Sequence, residues 1–409
     1  MNWENDIRVT SIFNEFIFRN NIDSFTNDYD CSICNGWVGR ALAISAMVRD
    51  EIIDRKCIDF DNLISLKYKQ LAYFIENTFD ISMVSGISGV LWALNEFREN
   101  SVTSYSKSQI DRLLYKAIIR LDMIVPNYIS PSHYDYMNGL LGYARILFKH
   151  QVLLTQREED IRKIKILLDS LLEYDEYNNY FIKDYSSTEE RDLINQVNLT
   201  YAHGVPSIVK FYLDYDNWSN ISQKNTIDKL VGFLYKHMKF NLQHSCIPIN
   251  LIKDKLIWTE RQAWCMGDLP IIILFYLLHE KYELASLNKD IIKKALEYNI
   301  NRHDSNIEIP DHSICHGISS IAYSYLKINK LSQVKVISKI AEKWFENLIS
   351  SIELANNHVL SMNWRNKLTF ECSDDLLFGG SGTLLTLSAF MGNKSYNSIR
   401  VLNTLLNYD

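Results

Sequence analysis

Three residues with metal-ligand chemistry stand out in the 409-residue chain: Cys265 and Cys315, each two places ahead of a glycine, and His316, directly ahead of one. Two thiolates and an imidazole suit zinc, and three protein ligands leave the fourth tetrahedral position to water or substrate, as in catalytic rather than structural zinc sites. The spacing is not the pair of close doublets seen in fingers and ribbons. One ligand precedes Gly267 and two precede Gly317, so only folding can assemble them. The plainer alternative makes both cysteines small buried fillers at helix starts and His316 a cap of its own helix. Other reactive residue types occupy related places: His203 directly precedes Gly204, Asp135 lies four residues before Gly139, and Arg261 six before Gly267. His133 is a further, outside candidate. Cys31 and Cys34 form a Cys-x-x-Cys pair, but no second doublet lies nearby, which favours packing; Cys57, Cys246 and Cys372 have no partner pattern, and His312 reads as an ordinary core or surface residue.

The elements that must position these residues follow a repeat. A glycine, two residues, a second small or turn-forming residue and about ten mostly apolar residues recur seven times, with first glycines at 36, 86, 139, 204, 267, 317 and 379. Each opens an apolar segment, Ala41 to Met47, Val90 to Phe97, Tyr143 to Phe148, Ile208 to Leu213, Ile271 to Leu278, Ile321 to Leu326 and Thr383 to Phe390. A segment apolar on nearly all sides must be packed all round, which predicts a buried helix. Between them lie amphipathic stretches such as Ile110 to Leu121, Ile161 to Leu172, Ile227 to Phe240 and Val334 to Ile349, suited to outer helices with one wet face.

Seven buried helices alternating with seven amphipathic ones satisfy both types if the pairs close into a ring, so the expected fold is an all-α toroid forming a single domain over residues 1–409. An open stack would need a polar capping repeat, whereas the last repeat ends in the apolar Leu384 to Phe390. Two stretches break the pattern and are expected as insertions with β character: Glu173 to Val197, with its aromatic Tyr180-Phe181-Ile182 run, and Ser245 to Trp258, which alternates apolar and polar residues. In such a ring the loops entering the inner helices share one mouth. Asp135, His203, Arg261, Cys265, Cys315 and His316 are expected to converge there, where helix N-termini favour thiolates.

Composition narrows the partners. With 43 basic and 49 acidic residues the chain carries a net charge of -6, without the basic footprint of nucleic-acid binding. The N-terminus lacks a secretory pattern, and the longest strongly apolar run, Leu269 to Leu278, is about half a bilayer span. A cytoplasmic protein without a membrane span is expected, and seven cysteines there point to free thiols or metal ligands.

These residues resemble the lanthionine synthetase C-like cyclases, which close thioether rings in lanthipeptide precursors. The motifs that carry the resemblance are Ala202-His203-Gly204, Arg261-Gln262-Ala263-Trp264-Cys265-Met266-Gly267 and Cys315-His316-Gly317, with Asp135-Tyr136-Met137-Asn138-Gly139 ahead of them and the glycine repeats along nearly the whole chain. The resemblance implies an α/α toroid holding one zinc ion on Cys265, Cys315 and His316. It implies a stand-alone enzyme in which a substrate cysteine adds to the β-carbon of dehydroalanine or dehydrobutyrine. His203 would protonate the α-carbon, Asp135 would orient His203 or accept the thiol proton, and Arg261 would stabilise the enolate oxygen or hold Asp135. The implied partners are a dehydrated precursor peptide with its leader, a dehydratase and an exporter, through which the protein would reach the inner face of the membrane. Glutathione addition to dehydrated residues and a non-catalytic peptide-binding scaffold are the competing functions. One departure is Met266, where the bacterial cyclases usually carry tyrosine; another is Asp268-Leu269-Pro270 in place of their Gly/Pro-rich continuation. Methionine cannot supply the lost hydroxyl's hydrogen bond.

Overall fold

The computed structural model describes residues 6–409 apart from 21, 27, 186–195, 242, 303–306, 308, 310, 333, 363–369 and 393–394. The chain is mostly helical. Each repeat glycine lies at the head of a helix: α1 (Trp37–Arg49), α2 (Ile87–Asn100), α3 (Leu140–Lys149), α4 (Val205–Ser219), α5 (Leu269–Lys281), α6 (Ile318–Ser332) and α7 (Gly380–Ala389). Burial follows the apolar reading. All ten residues of α7 are buried, as are all those of α1 except its two arginines. A further helix follows later in each repeat, at Phe60–Asn77, Ser104–Tyr128, Glu158–Leu171, Lys224–His237, Lys289–Ile300, Lys335–Leu354 and Tyr396–Leu406. In Phe60–Asn77 the buried positions keep one stripe, Phe60, Leu63, Ile64, Lys67, Leu71 and Ile75, the spacing of a helix with one face in a core, whereas Tyr396–Leu406 is buried at every position from Val401 to Leu406.

The helices fall into two compact units. The first consists of Met1–Pro126, Pro310–Tyr323 and Ala341–Leu406. In it α7 packs on α1, α1 packs on α2, and the helix Tyr396–Leu406 lies against both α7 and α1. A helix at Ile7–Arg19, which the repeat pattern does not anticipate, adds Val9, Ile12, Phe13 and Phe16 to this core. The second unit consists of Asn127–Ile309, Ser324–Ile340 and Asn407–Asp409. Here α4 packs between α3 and α5, and the buried Arg145 of α3 bonds Asp214 of α4 at 3.4 Å and the Asp409 carboxylate.

Both expected insertions contain strands. β1 (Glu173–Tyr174) and β2 (Tyr180–Phe181) form an antiparallel pair, while β3 (Gln196–Asn198), β4 (Asn250–Ile252) and β5 (Lys255–Ile257) form an antiparallel sheet in that order. The two insertions are therefore joined, since β3 comes from the first and β4 from the second. Part of the first insertion, 186–195, lies outside the described residues. A third pair, β6 (Leu360–Met362) with β7 (Phe370–Cys372), was not expected. No helix among the described residues is long and apolar enough to cross a membrane.

Candidate metal centre and its neighbours

The loops ahead of the buried helices are built by backbone closeness at the glycine. A Cβ on Gly36 would stand 2.2 Å from the Asp30 carbonyl oxygen, and one on Gly317 2.4 Å from that of Asp311. The residue six places before the glycine therefore folds back directly against it. Repeat five differs: Gly267 meets Ala263 instead, and the helix is capped by Asp268. The Asp268 carboxylate accepts the Cys246 and Ile247 N–H groups at 2.8 and 3.0 Å. The departure of Asp268-Leu269-Pro270 from the family pattern thus starts α5 one residue late and ties it to the second insertion.

Cys265, Cys315 and His316 are buried, and their ligand atoms all lie within 4.8 Å of one another; among the described residues no other His, Cys, Asp and Glu side chains form such a group of three or more. Soft thiol sulfur with imidazole nitrogen is a donor set for zinc, and the group has three members, so the residues fit the ion the sequence implies. Around Cys315 the loop is held by backbone hydrogen bonds. Gly317 N–H donates to the Ser313 carbonyl at 3.0 Å, and Cys315 N–H to the Leu377 carbonyl at 3.2 Å. His316 Nε2 meets Asp311 Oδ2 at 3.0 Å, and its ring lies 5.6 Å from that of Phe378. Beside Cys265, the fully buried Trp264 sets its ring edge-on to Tyr136 at 6.2 Å.

His203 and Asp135 are in contact, Nδ1 to Oδ2. Asp135 has its other oxygen on the Asn138 N–H at 2.5 Å, so it caps the turn before α3 and engages the imidazole at once. Burial works against a charge on His203, but the Asp135 hydrogen bond and charge, helped by Cys265 and Asp184, outweigh it and raise the imidazole above its usual range. Its side chain is 30% exposed, against 1% for His316. That difference separates a partly open side chain from one sealed in the protein. Arg261 is buried, its backbone N–H donating to Thr259 Oγ1 at 3.1 Å. Next to it, the Gln262 amide donates to Asn299 and to the Tyr325 hydroxyl at 2.9 and 3.2 Å.

The remaining candidates are engaged elsewhere. His133 ends a one-turn helix with Nδ1 2.8 Å from Ser130 Oγ. His312 accepts the Leu360 N–H at Nδ1 and meets Ser351 Oγ at 2.8 Å, with burial pushing its pKa down to about 4. Cys31 and Cys34 are buried; burial pushes the Cys31 thiol up to about 11 and raises Cys34 as well. Cys246 is likewise buried, whereas Cys57 is exposed. The Cys372 side chain lies outside the described residues.

Spacing did not single out three further residues. Asp311 stands behind His316, and its signal was the same Asx residue at the same place in other repeats. Tyr408 is buried against Tyr201, ring centroids 6.1 Å apart, and burial raises its hydroxyl pKa, to which the nearby Cys265 adds. Nothing local marks a residue so distant in sequence. Asp375, buried four residues before Gly379, accepts the Phe378 N–H at 2.7 Å, and burial raises its pKa to about 6.

Comparison with known proteins agrees with this architecture. The chain resembles the solved structure of nisin cyclase with a TM-score of 0.64 and 20% identity, over 97% of this chain and 98% of that one. No curated protein matches by sequence. The profile described as lanthionine synthetase C-like protein matches residues 27–406, and by that near-complete match the chain belongs to the lanthionine synthetase C-like family.

Proposed function

We propose that the protein is a zinc-dependent lanthipeptide cyclase, built as one α/α toroid over residues 1–409, that adds peptide cysteine thiols to dehydroalanine or dehydrobutyrine. The observation that carries this reading is the buried group of Cys265, Cys315 and His316 in a chain of this family. Support for the ring comes from the seven helix pairs and from the packing of α7 on α1 in the first unit. Cys265, Cys315 and His316 would hold a zinc ion, which would supply the Lewis acidity that keeps a substrate thiol ionised near neutral pH.

The chain's own residues do the rest. When the thiolate sulfur bonds to the β-carbon, the electron pair of the double bond passes through the α-carbon to the carbonyl as an enolate, and a proton must return to the α-carbon. His203 holds that proton: its Nδ1 faces Asp135, which fixes the ring and leaves Nε2 as the group facing the reactant. The raised pKa keeps more of the imidazole charged at neutral pH than a free histidine would be. Arg261, six residues before Gly267, is assigned to the enolate oxygen. The thiol proton is lost and one proton is gained at carbon, so the addition is balanced without an oxidant.

The substrate is then a dehydrated precursor peptide bearing a leader, and the partners are a dehydratase and an exporter. Incubating the protein with a dehydrated precursor and alkylating the remaining thiols tests the reading. Loss of peptide thiols, dependent on zinc, is the expected result; an unchanged thiol count with zinc bound would rule cyclisation out.

A further inference from the structure

Three loops of the chain share the sequence Asp-x-Ser-x-x-x-Gly: Asp30 to Gly36, Asp80 to Gly86 and Asp311 to Gly317. In all three, Oδ1 of the aspartate accepts the N–H of the serine two places on, at 2.7, 2.7 and 2.9 Å. The aspartate carbonyl accepts the N–H seven places on, from Trp37, Ile87 and Ile318, at 3.0, 2.9 and 2.9 Å. Finally, the serine Oγ accepts the N–H of the residue before the glycine, at 3.1, 3.1 and 3.3 Å. These shared bonds build the loop, and none of them uses Oδ2.

Only in the third loop is the residue before the glycine a histidine, His316 in place of Asn35 and Ser85. There Oδ2 of Asp311 meets His316 Nε2 at 3.0 Å, with both side chains sealed from solvent. An imidazole that donates its Nε2 proton to a carboxylate carries its lone pair on Nδ1, in a fixed ring orientation and with greater basicity. We infer that Asp311 is a positioning residue of the metal centre, holding His316 in the tautomer that presents Nδ1 to the ion while its first oxygen builds the loop. This inference rests on the zinc reading above.

The repeats supply the variants that separate the two jobs. Asn198 of repeat four makes the same turn with an amide, Oδ1 accepting the Thr200 N–H at 2.9 Å, so Asp311→Asn keeps the loop. Its NH2 would face Nε2 as a donor, calling the lone pair to Nε2 and the ring proton to Nδ1, where the ion must bind. Repeat seven has Ser373 at this place, Oγ accepting the Asp375 N–H at 3.4 Å. Asp311→Ser is therefore a second variant that retains a turn acceptor and loses the imidazole contact.

Wild type, Asp311→Asn, Asp311→Ser, Asp30→Asn, Asp80→Asn and Cys315→Ala should be titrated with zinc against a chromophoric chelator, with thermal unfolding of each metal-free protein as the check on folding. The expected result is zinc binding weakened about 10–100-fold in both Asp311 variants, with Asp30→Asn and Asp80→Asn matching wild type. Asp311 variants that fold and bind zinc as wild type does would overturn the assignment, as would equal weakening by Asp30→Asn, which would mark a general loop effect. Zinc binding by wild type that is lost in Cys315→Ala upholds the metal centre whatever Asp311 does. Absence of zinc binding by wild type removes both readings together.

Discussion

Asp30 to Gly36 and Asp311 to Gly317 share an aspartate turn, a serine bond and a buried cysteine two places before the glycine, whose N–H crosses to the carbonyl of the equivalent residue in the following repeat. Cys34 reaches Val84 at 2.9 Å and Cys315 reaches Leu377 at 3.2 Å. The loops part at one position. Asn35 stands where His316 stands, and Asn35 Oδ1 accepts the Cys34 thiol at 3.6 Å. The thiol of repeat one is therefore held as a neutral, buried filler, raised by burial and by Asp375 and Asp30. Its counterpart in repeat six belongs to a buried Cys-Cys-His group that could hold a metal ion. Position in the repeat fixes where a side chain sits; the company it meets decides whether it does chemistry.

That comparison can be broken most directly by removing the two equivalent thiols. Cys315→Ala is expected to reduce zinc content to background by elemental analysis, while Cys34→Ala keeps it at wild-type level. Zinc lost equally from both would show that the two loops do the same work. A next effect separates metal from proton chemistry: His203→Ala should retain zinc and slow ring closure of a dehydrated peptide by about 10²–10⁴-fold, the usual contribution of a general acid.

Gly36→Ala and Gly317→Ala test the shared scaffold. Each new Cβ meets a backbone oxygen at 2.2 or 2.4 Å, so both should lower stability in chemical denaturation by about 3 kcal/mol or more, in similar measure. A large difference between them would deny that the loops are the same construction. The smallest effect concerns Asp375, whose folded pKa is raised to about 6 by burial. A raised carboxyl favours the folded state fully below its unfolded value near 4 and loses that contribution as pH climbs through 6. Asp375→Asn should therefore flatten the fall in stability across this window, by at most about 3 kcal/mol. An unaltered stability profile between pH 4 and 7 would exclude the buried carboxyl as its source.

Much of this was legible because a repeat turns position into information. The seven glycines located seven buried helices, and the residues just before them located the group of Cys265, Cys315 and His316 without any local zinc motif. Strands in the two insertions were visible in their alternation, but the pairing of β3 with β4 was not, since it joins segments some fifty residues apart. Asp311 escaped notice because its first function is ordinary: an aspartate before a serine reads as a turn, and nothing in its type reveals a second oxygen aimed at an imidazole. Asp135 was found by its spacing, yet it follows the same rule, one oxygen on the Asn138 N–H and the other on His203. Tyr408 was invisible because it reaches the neighbourhood of Cys265 only through the tertiary path of the chain.

The spare oxygen of the turn-forming aspartate also bears on how such a protein can change. Asparagine and histidine codons differ at a single base, so repeat one stands one nucleotide substitution away from the Cys-His-Gly of repeat six, with Asp30 already in the place that Asp311 occupies. On the role inferred for Asp311, repeat one already holds the aspartate that would face a histidine at position 35, so a single mutational step would recreate the Asp-His pair of repeat six.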